Sequence, residues 1–478
     1  MTRNLSEGSM VVGGGDGRVV LSRLAPGGAA DVAAESALSP PRFSGTAWGV
    51  FLATLYPVLV AAPLVTLAAL NGVPDHLRVA EVGVDCAVVG STILALQFAI
   101  TARLSWVEAP FGLDLILVFH RVMALVATAL LCAHPLLVAK EEGWPLLAGL
   151  RVPWYIWVGR LTIALLLLQV VVSLSRRVIR LPYDLWRRLH NPIALAILTL
   201  GFTHGLAAGD DMHGGGAFVW GAVMAVAFGF WLYSRVARPR LLLRHAFRVT
   251  SVTLEAPRVW TLTLEPPGDR SFHHLPGQFQ YLRLHGANVP SEEHLFTIAS
   301  SPARSGRMSL TIKESGNFTS GIGRVRPGDR ATVHGPFGRF SHTLHPDEGD
   351  LVFVAGGVGI TPLMSMLRSM RDRRESRRVL LAYASRSAAD VLFNDELREM
   401  QVGGDPELTV VHVLADAPPS WAGETGKLDA DRLAHLCGAV EGKAFYLCCP
   451  PPMTSALVRG LRRMGVSPRR IHTDHFSL

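Results

Sequence analysis

Four histidines stand in two equally spaced pairs, His120 with His134 and His190 with His204, each pair 14 residues apart. All four lie in long apolar stretches, where an ionisable side chain is costly and is usually kept for function. On a helix, 14 residues turn through roughly 1400°, about 40° short of four full turns, and rise about 21 Å. Both members of a pair therefore face one side of their helix, at two depths. If the two helices run in the same direction, His120 opposes His190 and His134 opposes His204. Imidazole is an axial haem ligand, so two facing pairs make two bis-histidine sites for b-type haems. Stacked haems would carry an electron across roughly 20 Å of hydrocarbon that no metal-free side chain can relay. Two readings compete. An intramembrane histidine can hydrogen-bond a neighbouring helix, and a single transition-metal site would gather its ligands at one depth.

The elements that must hold these residues follow from composition. Of 478 residues, 49% are hydrophobic and only 18% charged, with mean hydropathy +0.30. Soluble domains average roughly 25% charged, which excludes a purely soluble chain. Six apolar runs occupy about 46–70, 82–102, 113–139, 154–175, 183–207 and 217–234. Each is long enough to cross a hydrocarbon core of about 30 Å as a helix. Residues 1–43, rich in Gly, Ala and Ser, read as a mobile cytosolic tail, with no apolar run of signal-peptide length. Arginines cluster at alternate ends of the runs: Arg103, then Arg176, Arg177, Arg180, Arg187 and Arg188, then Arg235, Arg238, Arg240 and Arg244. The other loops hold only Arg78, Lys140 and Arg151. The positive-inside rule puts both termini in the cytoplasm and runs the third and fifth spans from inside to outside. It also accounts for the net charge of +8 without a nucleic-acid partner. Arg121, Arg187 and Arg188 serve equally as inner-face charges or as partners of haem propionates. Pro135 and Pro192 read as ordinary membrane kinks, with room for a porphyrin as the alternative. The outer segment Asp210-Asp211-Met212-His213 reads as a solvated turn, with attraction of a metal chelate as the other reading. Five cysteines without a CxxC exclude a disulfide framework, a cysteine-rich zinc site and a cysteine-ligated iron–sulfur cluster.

From about residue 241 the pattern changes. Val249–Leu254, Phe279–Leu284, Met308–Ile312 and Ala331–Val333 are short, β-rich and separated by Gly and Pro turns, which predicts a small antiparallel barrel. From about 350 the order becomes strand, glycine loop, helix: Leu351–Ala355, then a helix over 361–373, then strands at 379–384, 408–414 and 444–448. That order predicts a parallel α/β sheet. The domain plan is a tail (1–43), a six-helix transmembrane bundle (44–238), a β-barrel (241–345) and an α/β domain (346–478). Gly356, Gly357, Gly359 and Thr361 lie between a strand and a helix, where backbone amides and a helix N-terminus attract a dinucleotide phosphate. Ser385 and Arg386, just after the next strand, suit a 2′-phosphate and so NADPH. A solvated arginine fits as well, which leaves NADH open.

Several stretches resemble a known family. Glu293-His294-Leu295-Phe296-Thr297-Ile298-Ala299-Ser300 resembles the HPFTIAS flavin motif of the ferric reductase and NADPH oxidase families, with Leu295 where those families usually have proline. The resemblance implies that His294, Phe296 and Thr297 line an FAD. Ile312-Lys313-Glu314-Ser315-Gly316-Asn317-Phe318-Thr319-Ser320 looks like the segment that holds the FAD pyrophosphate, through Lys313, Gly316, Thr319 and Ser320. Gly335-Pro336-Phe337-Gly338 resembles the turn that closes this domain. The glycine loop resembles the GGxGxTP loop of the ferredoxin-reductase superfamily. Cys448-Cys449-Pro450-Pro451-Pro452-Met453 resembles the CGPPxM element beside the nicotinamide, with Cys449 in place of glycine. By that likeness Cys448 and Pro450 flank the nicotinamide, and Phe476 near the chain end covers the flavin. Tyr183-Asp184-Leu185-Trp186, ahead of His190, is similar to the family's fifth-helix entry. The resemblance spans about 46–478. It implies a multi-pass membrane oxidoreductase, expected in the plasma membrane. NAD(P)H passes a hydride to FAD, and electrons go to an inner haem (His120, His190) and an outer haem (His134, His204). The final acceptor, outside the membrane, is a ferric chelate, dioxygen or a redox protein. A different class stays open: a transporter or sensor whose cytosolic part binds nicotinamide and whose membrane histidines relay protons.

Overall fold

The computed structural model describes residues 45–71, 78–209, 215–268, 271–286, 289–303 and 306–474. The tail 1–43, the segment Asp210–His213 and Phe476 lie outside the described residues. Contacts divide the chain into two units, Met1–Trp48 and Gly49–Leu478.

In hydrocarbon every backbone amide must be satisfied within its own segment, so uninterrupted apolar runs fold as helices. The six expected runs become α1 (Gly45–Asn71), α2 (Val79–Ile100), α4 (Leu113–Glu142), α6 (Trp154–Ser175), α7 (Tyr183–Ala208) and α8 (Gly215–Leu232). Among the described residues, six helices are thus long and apolar enough to cross a membrane. Short helices α3 (Ser105–Phe111) and α5 (Pro145–Ala148) join them, and α8 continues through a π-type turn (Tyr233–Ala237) into α9 (Arg238–Arg244). Val58, Val65, Val171 and Phe218 stay exposed, as lipid-facing side chains would. Lipid offers no hydrophobic drive between helices, so close packing needs small residues. On α2, a carbon added at Gly90 would lie 2.9 Å from Leu131, and one at Gly83 3.1 Å from Leu137. That close approach brings α2 onto the helix that carries His120 and His134. Pro135 and Pro192 both lie inside unbroken helices.

The next domain is a six-stranded antiparallel sheet. Its strands are β1 (Phe247–Ala256), β2 (Val259–Glu265), β3 (Phe279–His285), β4 (Glu293–Thr297), β5 (Met308–Lys313) and β6 (Arg330–Phe337). Their order is β4-β3-β6-β1-β2-β5. Just past β4, Ala299 donates its N–H to the Ser309 carbonyl at 2.8 Å and draws the two edge strands together. Leu262, Leu264, Leu282, Leu310 and Ile298 fill the interior. One expectation needs correction: Gly335–Phe337 is not a turn. Phe337 is buried and pairs with Phe279 beyond a register shift, so the strand continues past an irregularity at Gly335 and Pro336. Gly338, just past the strand end, has φ +98.

The last domain is a parallel sheet of β7 (Leu351–Gly356), β8 (Arg378–Ser385), β9 (Glu407–Leu414), β10 (Glu424–Thr425), β11 (Ala444–Cys448) and β12 (Ile471–Thr473). Its order is β10-β9-β8-β7-β11-β12. Helices α10 (Ile360–Arg373), α11 (Asn394–Gly403), α12 (Ala430–Cys437) and α13 (Pro451–Arg463) connect the strands. From β7 the chain winds first toward β9 and then back through β11. The crevice at the carboxyl ends of β7 and β11 is therefore a topological switch point, where such sheets bind ligands. Strand β12 is pinned by His472, whose Nε2 lies 2.7 Å from Glu348, and Tyr446 donates its hydroxyl to the other Glu348 oxygen at 2.7 Å.

Candidate functional site

Helices α4 and α7 bring the four histidines together in the expected pairs. The His120 and His190 ring centres are 6.5 Å apart and those of His134 and His204 are 6.2 Å apart. A metal held about 2 Å from each of two imidazole nitrogens, each about 1 Å from its ring centre, sets those centres about 6 Å apart. Direct hydrogen bonding between the rings would bring them closer. The outward-facing nitrogens fit the same use. His134 Nδ1 is 3.0 Å from the Gly83 carbonyl, His204 Nδ1 is 2.8 Å from the Tyr155 carbonyl, and His120 Nδ1 is 2.9 Å from Gln97 Oε1. A ligating histidine characteristically donates its second N–H in this way, which leaves the other nitrogen for the metal. His190 Nδ1 is buried without a partner, under the Trp186 ring at 4.8 Å. Gly159 makes room for His204: a Cβ there would lie 2.8 Å from the imidazole.

At the ends of these helices that carry His120 and His190, the sheet domain is clamped to the bundle. Glu293 accepts from Arg103 at 2.7 Å and from Arg187 at 3.1 Å. Burial would raise the Glu293 pKa, but the two guanidiniums overcome it and hold the value at about 2. Arg103 also lies over the Tyr281 ring, 3.6 Å from its centre. Arg188 pairs with Glu292 at 3.0 Å. The structure thus engages Arg187 and Arg188 with the flavin-motif strand and its approach. A second clamp joins Glu108, which accepts the Gly338 N–H at 2.9 Å, and Arg339, which donates to the Ala109 carbonyl at 2.6 Å. Burial pushes the Glu108 pKa up. Sequence reasoning missed this joint. Glu293 is only the letter before the motif, and Arg103 reads as a topology charge until the fold sets them side by side.

On β4, His294 and Phe296 face one aromatic neighbour. The His294 ring centre is 4.3 Å from that of Phe318, and Phe296 stacks on the same ring at 6.0 Å. Phe318 belongs to the quoted pyrophosphate segment but was not singled out there. The Thr297 hydroxyl is buried with no partner, as are both amide atoms of Gln280 on the adjacent strand β3. Gln280 stands opposite Phe296 and Thr297 opposite Phe279, so the two side chains leave the sheet on opposite faces. Buried polar groups are normally satisfied, so the Thr297 hydroxyl is free to meet a polar ligand on its own face. In the segment Ile312–Ser320, Thr319 accepts the N–H groups of Ser315 and Gly316 at 2.8 and 2.9 Å. Its hydroxyl shapes the loop from within. The Ser320 hydroxyl donates to the Asn317 carbonyl at 3.1 Å, and Lys313 is exposed.

At the switch point the glycine loop and the Cys-Cys-Pro segment meet. Ala355 and Cys448 are register partners on β7 and β11. A Cβ on Gly359 would overlap the Cys448 carbonyl, and one on Gly356 would lie 2.7 Å from the Pro450 ring. Gly357 has φ +56, a backbone conformation open to glycine. Thr361 donates its hydroxyl to the Val358 carbonyl at 3.0 Å in the first turn of α10. Cys448 is fully buried, and burial holds its thiol well above the ordinary range. Burial likewise pushes Cys449 up to about 12. Both thiols are neutral packing groups at physiological pH, not nucleophiles. Ser385 is buried at the carboxyl end of β8, and Arg386 beside it is exposed.

Three family models match in chain order: a ferric reductase like transmembrane component over 86–201, an oxidoreductase FAD-binding domain over 247–342 and an oxidoreductase NAD-binding domain over 353–459. Similar curated proteins include the reductase component of phenol 2-monooxygenase from Pseudomonas sp. (strain CF600). It is 32% identical over 213 residues, which are 44% of this chain and 59% of that protein. The electron transfer component of xylene/toluene monooxygenase from Pseudomonas putida is 31% identical over 219 residues, 45% of this chain and 60% of that protein. The chain thus spans about 60% of the length of these relatives. Among solved structures, the cytochrome P450 reductase of Amycolatopsis aligns at 27% identity and TM-score 0.44, over 49% of this chain and 70% of that one.

Proposed function

We propose that this chain, a ferric reductase like transmembrane component joined to oxidoreductase FAD-binding and NAD-binding domains, passes electrons from cytosolic NAD(P)H across the membrane to an acceptor on the far side. The observation that carries the reading is the pair of facing histidine sets, with ring centres 6.5 and 6.2 Å apart, and three of the four Nδ1 atoms held by acceptors. His120 and His190 would hold an inner b-type haem, and His134 and His204 an outer one. FAD supplies the exchange between a two-electron donor and one-electron carriers, and haem iron supplies the one-electron relay. The chain's residues bind and orient. Gly356, Gly357, Gly359 and the first turn of α10 offer backbone amides to the dinucleotide phosphates. Cys448 and Pro450 wall the nicotinamide side of the crevice. Ser385 and Arg386 face the ribose end, where arginine favours NADPH over NADH. His294, Phe296 and Thr297 line the flavin, with Thr297 offering its unpartnered hydroxyl. Lys313, Gly316 and Ser320 meet its pyrophosphate, while Thr319 shapes that loop. Phe476 is the proposed cover for the flavin. Both termini are cytoplasmic, in a plasma membrane protein.

The test is spectroscopic. Reduced-minus-oxidised absorbance of the purified chain should show b-type bands, and His190→Ala or His134→Ala should each remove about half of the signal. A preparation that stays colourless after expression with added haemin overturns the reading. Steady-state turnover with ferric chelates, and with oxygen in the presence and absence of superoxide dismutase, then separates a ferric reductase from a superoxide-forming oxidase.

A further inference from the structure

Helices α2 and α4 pack antiparallel in a strict seven-residue register. Gly83 meets His134, Gly90 meets the Ala127 backbone, and Gln97 meets His120, so each step of seven along α2 is a step of seven back along α4. The 14-residue spacing of the histidines is thus mirrored on α2 by a backbone carbonyl at the outer level and a glutamine at the inner level. The hairpin of α6 and α7 repeats only the outer level of the plan: Tyr155 offers its carbonyl to His204, whereas Gln169, 14 residues later, donates to the main-chain carbonyl of His190 at 3.2 Å and leaves the His190 Nδ1 without a partner.

The orientation of the Gln97 amide is fixed by chemistry. Its Nε2 lies 2.9 Å from the Ile93 carbonyl, which can only accept, and 3.4 Å from the Tyr56 hydroxyl. The atom facing His120 Nδ1 is therefore the amide oxygen, also only an acceptor. His120 must then carry its proton on Nδ1, which leaves Nε2 with the lone pair. Gln97 is 6% exposed, so water does not substitute for it. The outer histidines gain the same service from backbone carbonyls, which no side-chain change removes.

We propose that Gln97 is a positioning residue of the inner histidine pair, and that it fixes the tautomer and electron donation of His120 so that the inner site is tuned separately from the outer one. The inference rests on the electron-transfer reading. An acceptor on Nδ1–H makes an imidazole a stronger donor and favours the oxidised metal. Redox titration of the full chain in detergent, followed at the b-type absorbance, reads the result. Gln97→Leu should move one of the two midpoint potentials upward and leave the other in place. Gln97→Met fills similar volume without an acceptor and should act alike, which keeps the test open if the leucine variant does not accumulate. Gln97→Glu keeps an acceptor oxygen on a side chain of equal length and should hold the midpoint at or below the wild-type value. Unmoved midpoints in the Leu or Met variant, or an upward shift in the Glu variant equal to theirs, overturn the proposal. A wild-type chain without two b-type haems overturns the electron-transfer reading itself.

Discussion

At position 159 a single hydrogen decides where an imidazole can lie. Any Cβ there would approach the His204 ring to 2.8 Å, and the ring is already tethered to the Tyr155 carbonyl one turn earlier on the same helix. Gly159→Val should therefore displace His204 and remove about half of the b-type absorbance, leaving the half that belongs to His120 and His190. Reduced-minus-oxidised spectra check this, and full retention of both bands would refute it. The same scale shows why the histidines were legible and their partners were not. Four histidines in apolar runs stand out by type and spacing. A glycine, or a carbonyl that every residue possesses, carries no signal in sequence, and Gln97 looks like any polar residue near a helix end.

The β7–loop–α10 unit positions the proposed nucleotide crevice, and its glycines do different work. Gly357 supplies a positive φ, whereas Gly359 sits at an ordinary φ of −61 and is constrained by its neighbour on β11. Gly359→Ala would press on the Cys448 carbonyl. It should raise the KM for NAD(P)H in flavin reduction at least roughly tenfold, about 1.4 kcal/mol of lost binding. Gly403→Ala, at the end of α11 where an added carbon meets nothing within 4 Å, should leave that KM unchanged. Equal effects from the two substitutions would contradict the assignment of the crevice. The element boundaries were largely readable: the helix expected over 361–373 is Ile360–Arg373, and the strand expected over Leu351–Ala355 ends one residue later. The misread element was Gly335–Phe337. Its Gly-Pro composition signals a turn, but cross-strand pairing with Phe279 outweighs local preference.

For the molecule as a whole, the question is how the flavin-motif strand keeps its place beside the membrane histidines. Arg187 and His190 lie about one turn apart on α7, and Glu293, which pairs with Arg187, directly precedes His294. The clamp thus ties the two candidate cofactor sites, with the Arg188–Glu292 pair beside it. Glu293→Gln leaves Arg103 and Arg187 without their counter-charge, a loss of about 3 kcal/mol by the usual worth of such pairs. NAD(P)H-driven reduction of a soluble dye should continue in this variant while reduction of the b-type centres slows, as stopped-flow absorbance would report. Because the folded-state pKa of Glu293 is about 2, below its ordinary 4.5, the clamp contributes fully above about pH 4.5 and is lost as pH falls toward 2. Thermal unfolding of the full chain should show that acid-side loss in the wild type and a smaller one in Glu293→Gln. Identical profiles would refute the clamp.

Six membrane helices, an antiparallel flavin-type sheet and a parallel nucleotide-type sheet were determined by sequence alone. Apolar run length, residue period and glycine context are local properties that each segment carries in itself. The facing of His120 with His190 and of His134 with His204 was also implied, because helical pitch converts a spacing of 14 into two levels. Only the tertiary structure decided that Gln97 and two backbone carbonyls hold these rings, that Phe318 stacks on the flavin motif, and that Glu293 joins Arg103 and Arg187 across 190 and 106 residues of chain. Such contacts depend on how separate elements dock, and no local pattern encodes the distance between two segments that meet only after folding.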